Sequence, residues 1–508
     1  MGAAAVDPRL TPEPEPAASS MARRRLVFAA LMATTFMVAI EINIVATAMP
    51  SIVPQLGGFD LYGWVFAGFL LPQAVTVPIY GKLADLYGRR SILLIGIVVF
   101  LAASLLCGLA TTMPQLVAYR ALQGIGAGAV LPVAHTVVGD IFTPEERARM
   151  QGYIATVWAT SAVVGPALGA VIVAGLDWRW VFWINLPLGL VALAMLRAYY
   201  RESIARRRHR IDFAGAALLI VGGGAIMLAL VQAAVYPAAL LAGLVAVAGL
   251  CAGLLWRVER RVPEPILPPS LWRIPVVRTA TLGTVLVGAL AMGVVTYLPV
   301  HIQGALGRDA ETVAIALALM ALAWSACAGL GGRLSIRTSY RLVIGIGSVV
   351  LIAGAAFLTA VAASASVAAV VAGGMIVGMG LGFASSTYIV SVQTNVGWHV
   401  RGAATSTIHF ARMFGSALGA ALFGMVINLR LRGEGVTGGE IDALMDPGGP
   451  AQAAAREPLV AALGEALATV YLISSLLAVA ALVVGLAMPR GLNPGTSLGS
   501  RRPREDRS

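Results

Sequence analysis

Gly165-Pro166-Ala167-Leu168-Gly169-Ala170 returns 250 residues later as Gly415-Ser416-Ala417-Leu418-Gly419-Ala420. Working outward, Gly124 and Gly128 return as Gly374 and Gly378 at the same offset, and Val45-Ala46-Thr47-Ala48-Met49-Pro50 returns as Val294-Val295-Thr296-Tyr297-Leu298-Pro299 at an offset of 249. One such pair could arise by chance in an Ala/Gly/Leu-rich chain. Three in one order and nearly one register point to a duplicated structural unit. In a membrane protein, two parallel halves suggest a transporter that rocks about a central site.

Composition makes lipid the solvent. The 508 residues are 58% hydrophobic and 12% charged, with a mean hydropathy of +0.85, whereas a soluble domain averages roughly 25% charged residues. The net charge of +12 would suit nucleic acid, but the arginines sit in short runs between apolar stretches, so no nucleic-acid partner is expected. Cys107, Cys251 and Cys327 each fall inside an apolar segment without motif spacing, which argues against disulfides and against a metal site. Residues 1–22 are Pro/Ala/Glu-rich and read as disordered; they lack the layout of a signal peptide. Met21, just before Arg23-Arg24-Arg25, is a candidate start.

A spanning helix needs about 20 apolar residues. Fourteen candidates lie near 26–50, 61–81, 91–110, 114–138, 150–174, 179–198, 211–232, 237–257, 277–300, 312–332, 341–361, 366–391, 403–428 and 459–488. The repeat offset spans eight of them, an even number, so equivalent segments run in the same direction. The parse is therefore an all-α membrane protein: a disordered N-terminus (1–25), a six-helix bundle (26–198), two extra helices with basic loops (199–275), a second six-helix bundle (276–488) and a tail (489–508). Arginine crowds alternate loops, at Arg23 to Arg25, Lys82/Arg89/Arg90, Arg147/Arg149, Arg201 to Arg210, Arg257/Arg260/Arg261, Arg333/Arg337/Arg341, Arg401 and the C-terminal tail. The positive-inside rule places both termini in the cytoplasm, and the even helix count agrees. The Gly/Pro-rich segment 430–458 is then external and is expected to be a mobile, solvated loop.

Glu41, about fifteen residues into the first helix, is the one carboxylate placed well inside a span. A central charge costs about 2.5–3.5 kcal/mol on insertion scales, and acids in such positions default to functional sites. Low dielectric disfavours the charged form of a carboxyl group, which suits a proton carrier or a cation site; a structural hydrogen bond is the plainer alternative. Asn43 points elsewhere on the helix and suits an interhelical hydrogen bond. Arg120, within Arg120-Ala121-Leu122-Gln123-Gly124-Ile125-Gly126-Ala127-Gly128, stays charged and must find an acceptor or water. The counterparts of Arg120, Glu41 and Asp85 in the second half are Val370, a position near Leu290, and one near Ser335. Charge was thus kept in the first copy, and proton chemistry with it. The glycines after Arg120 follow no strand, so close helix packing explains them better than a dinucleotide fingerprint.

The loop Gly81-Lys82-Leu83-Ala84-Asp85-Leu86-Tyr87-Gly88-Arg89-Arg90 is a tight basic turn with one acid, able to lock against a neighbouring helix end or to act as a topology signal alone. Gly81-Lys82 is not a phosphate-binding loop, because residue 76 is Thr and Leu83 follows the lysine. Gly165-Pro166 with Gly169 makes a bendable packing seam. His409 and Arg412 lie one turn apart; the imidazole suits either a polar cavity contact or a satisfied buried bond, while the arginine, ten residues into its span, is harder to explain structurally. No nucleophile–base pair or metal-ligand spacing is present, so an enzyme is not expected.

Together these stretches resemble the major facilitator superfamily, and within it the fourteen-helix drug:proton antiporters. The loop 81–90 is similar to the family's signature loop, Arg120 to Gly128 to its basic helix-4 motif, and Gly165, Pro166 and Gly169 to its antiporter motif. Asp177-Trp178-Arg179-Trp180-Val181-Phe182-Trp183-Ile184-Asn185-Leu186-Pro187-Leu188-Gly189 resembles the helix-6 signature, and Glu41 to Pro50 the first-helix motif. Glu41 stands where aspartate is usual, Ser161 and Ala170 where glycine is common, Leu86 where arginine is usual, and the second-half loop at Gly332-Arg333-Leu334 lacks its acid. The resemblance implies proton-driven export of amphiphilic compounds by alternating access without a cofactor. Glu41 and Arg120 would couple protons, Gly81, Asp85, Gly88, Arg89 and Arg90 would form a conformational latch, and Gly165, Pro166 and Gly169 a hinge. Asn43, Gln123, His409 and Arg412 are expected in the substrate cavity. A monomer in the plasma membrane is expected. The alternatives are an importer, a dedicated exporter of an endogenous metabolite or lipid, and a membrane sensor or scaffold that does not transport.

Overall fold

The computed structural model describes residues 21–202, 212–263, 265–364, 366–444 and 453–489. Among them, fourteen helices are long and apolar enough to cross a membrane: α1 (Met21–Leu56), α2 (Phe59–Tyr87), α3 (Arg89–Gly108), α4 (Met113–Ile141), α5 (Gly152–Gly175), α6 (Trp180–Tyr199), α7 (Phe213–Val231), α8 (Ala238–Glu259), α9 (Pro275–Ala305), α10 (Ala310–Ser335), α11 (Tyr340–Val361), α12 (Val367–Asn395), α13 (Ala403–Gly433) and α14 (Glu457–Leu486). Helices are the form in which a lone segment satisfies all its backbone groups without water. Local chemistry sets their ends. Thr112, Asp212, Asp309, Ser339 and Ser366 each accept a hydrogen bond from a backbone amide of the first turn, and Thr143 with Glu146 forms a reciprocal capping box.

The sequence repeat is a repeat of packing. Gly165 and Gly169 bring α5 against Ile40, Asn43, Ile44 and Thr47 of α1, while Gly415 and Gly419 bring α13 against Val285 and Ala289 of α9. Gly128 seats α4 on Gln73 and Thr76 of α2, and Gly378 seats α12 on Met320 of α10. Helices α1–α6 and α9–α14 are thus two six-helix bundles built to one plan. The halves meet along two equivalent seams, α2 against α13 and α5 against α10. The extra pair lies outside this plan. Helix α7 touches both α2 and α13, and Gly223 is where it fits between Leu71 and Phe414. Helix α8 packs on α7 and is otherwise almost bare.

Two expectations need correction. Residues 21–25 are not disordered but form the start of α1, because Arg24 pairs with Glu146 and stacks on Phe142 while Arg23 donates to the Tyr199 carbonyl. The segment 430–458 is not simply a solvated loop: α13 runs on to Gly433, and a short helix, Gly438–Leu444, buries Ile441 and Leu444. Residues 1–20, most of the basic run 201–210, and the tail from 490 lie outside the described residues.

The seams predict how substitutions at the repeat glycines behave. A Cβ at Gly419 would lie 2.3 Å from the Ala289 carbonyl oxygen and 2.5 Å from its Cα, both backbone atoms that cannot rotate away. Gly419→Ala is expected to cost about 1–3 kcal/mol through overpacking, read as a lowered thermal midpoint in detergent. Gly249→Ala on α8, where a Cβ would have no neighbour within 4 Å, is expected to leave the midpoint unchanged.

Candidate functional site

The charge kept in the first half is buried whole. Glu41 on α1 and Arg120 on α4 both have side chains 0% exposed, with Arg120 Nη1 donating to Glu41 Oε1 at 2.6 Å. Arg120 Nη1 also donates to Gln123 Oε1 at 2.6 Å, and Nε donates to the Val65 carbonyl of α2 at 3.1 Å. The guanidinium lies 4.3 Å from the centre of the Phe69 ring. The other oxygen of Glu41, Oε2, accepts from Asn185 Nδ2 of α6 at 2.6 Å. Ser104 of α3 closes the network, accepting from Gln123 Nε2 at 2.7 Å and from Asn185 at 3.4 Å. Five of the six helices of this half therefore meet in one polar knot. The carboxylate is met on both oxygens, as a charge held in low dielectric requires.

This placement revises the sequence reading. Gln123, expected in a substrate cavity, is fully buried and belongs to the Glu41–Arg120 knot. Asn43 is half-buried on the α1–α5 seam and donates to the Ala39 carbonyl of its own helix at 3.3 Å. Asn185 and Ser104 had not been expected in the knot. Asn185 was visible as the one amide in the aromatic stretch of α6, but only the fold shows that it faces Glu41. His409 and Arg412 do not join the knot; both lie on α13, where Arg412 faces Trp158 of α5 across the boundary between the halves.

The loop Gly81 to Arg90 is anchored within its own half. Gly88 takes φ +98°, and a Cβ there would meet Glu202 Oε2 at 2.7 Å, so glycine is needed both for the turn and for the close approach. The Glu202 carboxylate accepts from the Arg89 amide at 2.9 Å and from the Arg90 amide at 3.4 Å, capping the N-terminus of α3 where negative charge is favoured. Arg89 reaches Asp85 at 3.4 Å and pairs closely with Asp140 at the end of α4. Asp140 and Glu202 complete the cluster, and nothing in the loop itself announced them. Nearby, Glu146 is held below the usual carboxylate range by the Thr143 amide and then by Arg24. A Cβ at Gly81 would meet nothing within 4 Å.

At the end of the bundle away from Met21 and Leu486, the halves are tied together. Asp442 of the short helix Gly438–Leu444 accepts from the amides of Gly58 and Phe59 at 3.1 and 3.2 Å. Partial burial raises the pKa of Asp442 above the ordinary aspartate value. The Asp60 carbonyl accepts from Asn428 at 2.9 Å, and its carboxylate meets Arg432 at 3.4 Å. Tyr62 donates to the Thr296 carbonyl at 3.1 Å and packs on Tyr297.

The sequence profile of the Major Facilitator Superfamily matches residues 31–420. The chain belongs to that superfamily. It is 34% identical over 411 residues to Multidrug resistance protein 3 of Bacillus subtilis (strain 168), covering 80% of each chain. It is 32% identical over 438 residues to efflux pump FUS6 of Gibberella fujikuroi, covering 82% of this chain and 77% of that one. Among solved structures, a bacterial homologue of the human lysosomal transporter Spinster, inward-facing and occupied, superposes with a TM-score of 0.66 at 17% identity, covering 92% of this chain and 97% of that one. The fold is thus the major facilitator fold with two added helices, and the protein is a multi-pass membrane transporter, not an enzyme.

The knot makes a stability prediction. Arg120→Leu leaves Glu41 buried without its countercharge and is expected to cost about 3–5 kcal/mol, whereas Glu41→Leu with Arg120→Leu recovers most of that loss. Thermal unfolding of the two variants in detergent measures the difference. A double variant no more stable than the single would mean that packing around the leucines, and not charge pairing, sets the cost.

Proposed function

We propose that this transporter is a proton-coupled antiporter that exports small amphiphilic compounds by alternating access. The observation that carries the reading is the closed Glu41–Arg120 pair, tied through Asn185 to α6 and through Gln123 to α3. Protonating Glu41 removes the charge that holds Arg120. The guanidinium must then find other acceptors, and α1 and α4 lose their strongest reason to keep their present relation. A proton thereby becomes a change in helix packing within one half, which is what coupling requires. One such acid suits one proton per cycle. The names of the relatives, multidrug resistance protein and efflux pump, favour export of organic compounds. The arginine-rich loops favour both termini in the cytoplasm, and the tied end then faces outward.

On this reading, energised inverted vesicles carrying the protein release protons when a panel of amphiphiles is added, and Glu41→Gln abolishes the release. Release that persists in Glu41→Gln would move the coupling role to another group. The tied end gives a second test. Cysteines in place of Asp60 and Arg432, whose charged ends meet at 3.4 Å, lie too far apart at the backbone to count on a direct disulfide; bridging them with a bis-methanethiosulfonate reagent is expected to stop transport, with recovery on reduction. Full transport in the cross-linked protein would contradict opening at that end.

A further inference from the structure

Among the described residues, two arginines lie deep among the helices and only one is answered by a carboxylate. Arg120 has Glu41, Gln123 and the Val65 carbonyl. Arg412, the fifteenth residue of the 36-residue helix Trp398–Gly433, forms no hydrogen bond or ion pair with any described residue. Its recorded partner is the Trp158 ring, 5.9 Å from guanidinium carbon to ring centre, near the outer limit for a cation–π contact. One turn away, His409 has a buried Nδ1 with no hydrogen-bond partner among the described residues. It lies within electrostatic range of Arg412 and of His135 on α4. Among the described residues, no carboxylate pairs with either group.

The contrast with His301 is instructive. That imidazole, on the π-helical turn that ends α9, meets the Ala362 carbonyl through Nε2 and the Tyr471 hydroxyl through Nδ1, each at 3.1 Å. Both of its nitrogens are used, as a structural histidine requires. Nδ1 of His409 is not, among the described residues. Arg412 and His409 are only part-buried, not sealed into a packed core. Trp158 and His135 come from the first half, His409 and Arg412 from the second, so these groups face one another between the bundles.

We propose that Arg412 and His409, with the Trp158 face beside them, form a headgroup seat for substrates that carry a carboxylate on an aromatic or apolar body. The guanidinium presents two parallel N–H donors matched to a carboxylate, the imidazole supplies a further donor, and the indole covers the adjoining apolar part. This deepens the exporter reading and rests on it. It assigns the cargo the charge opposite to what Glu41 alone would select, because Glu41 is spent within the knot.

The test is binding of three probes of one shape, 1-naphthaleneacetate, 1-naphthaleneacetamide and 1-naphthylmethyl-trimethylammonium. The purified protein sits in phosphatidylcholine nanodiscs, so that no anionic lipid competes. A charge-assisted pair predicts that the carboxylate binds about 10–100-fold more tightly than the amide. Arg412→Gln is expected to abolish that preference, and His409→Gln to reduce it. Arg412→Lys, which keeps the charge and guards against misfolding of the neutral variant, is expected to keep part of it. Equal or tighter binding of the amide or the ammonium compound overturns the anionic seat while leaving an amphiphile exporter intact. A preference for the carboxylate that survives Arg412→Gln in folded protein overturns the assignment to these residues. Failure of all three probes to bind overturns both the seat and the amphiphile reading on which it rests.

Discussion

A guanidinium in a low-dielectric bundle dictates what surrounds it. Arg120 cannot shed its proton, so the first half had to supply a carboxylate, an amide and a helix carbonyl at the same depth, and it did so from α1, α4 and α2. Asn185 and Ser104 then extend the network from α6 and α3. Every helix of this half except α5 is positioned partly by that requirement. Helix α5 is held instead by close apolar contact, through Gly165 and Gly169 on α1. The half is therefore organised by two different forces: a polar knot of charges and amides, and a glycine seam of close apolar contact.

The second half shows what the plan looks like without the knot. Its glycine seams are the same, Gly415 and Gly419 on α9 and Gly378 on α10, but Val370 stands where Arg120 does in the first copy, and it is buried among apolar neighbours. Shape was retained on both sides and charge on one. Where the first half has its buried ion pair, this half carries Arg412 and His409, with Arg412 facing Trp158 at the boundary with the other half. A buried pair organises a half; a cation with no ion-pair partner among the described residues does not.

How far the sequence could be read follows from the range of each force. The fourteen spans were legible because hydropathy acts residue by residue, and the duplication because glycine seams leave identical residues at a fixed offset. The Glu41–Arg120 pair was legible as two charges that needed answers, but not as a pair, since 79 residues separate them. The bonds of Gln123 to Arg120 and Ser104 were not legible, because the sequence does not say which neighbour a side chain on α4 turns to. Asp140 and Glu202 were missed because they act on the loop 81–90 from helix ends remote in the chain. The short helix Gly438–Leu444 was missed because Gly and Pro around it dominate the local reading, while its stability comes from burying Ile441 and Leu444 against the bundle.

The hairpin of α7 and α8 lies across the α2–α13 seam, with Gly223 fitted between Leu71 of one half and Phe414 of the other. If the halves rock against each other as proposed, a helix that touches both cannot stay fixed to both. It then slides on at least one, and a position without a side chain offers the smoothest bearing for that. The same hairpin also shields this seam from lipid on the side it covers, whereas the equivalent α5–α10 seam has no added helix over it among the described residues. The two halves repeat each other, but the molecule does not present two equivalent flanks to the bilayer, and a compound dissolved in the membrane meets a different wall on each.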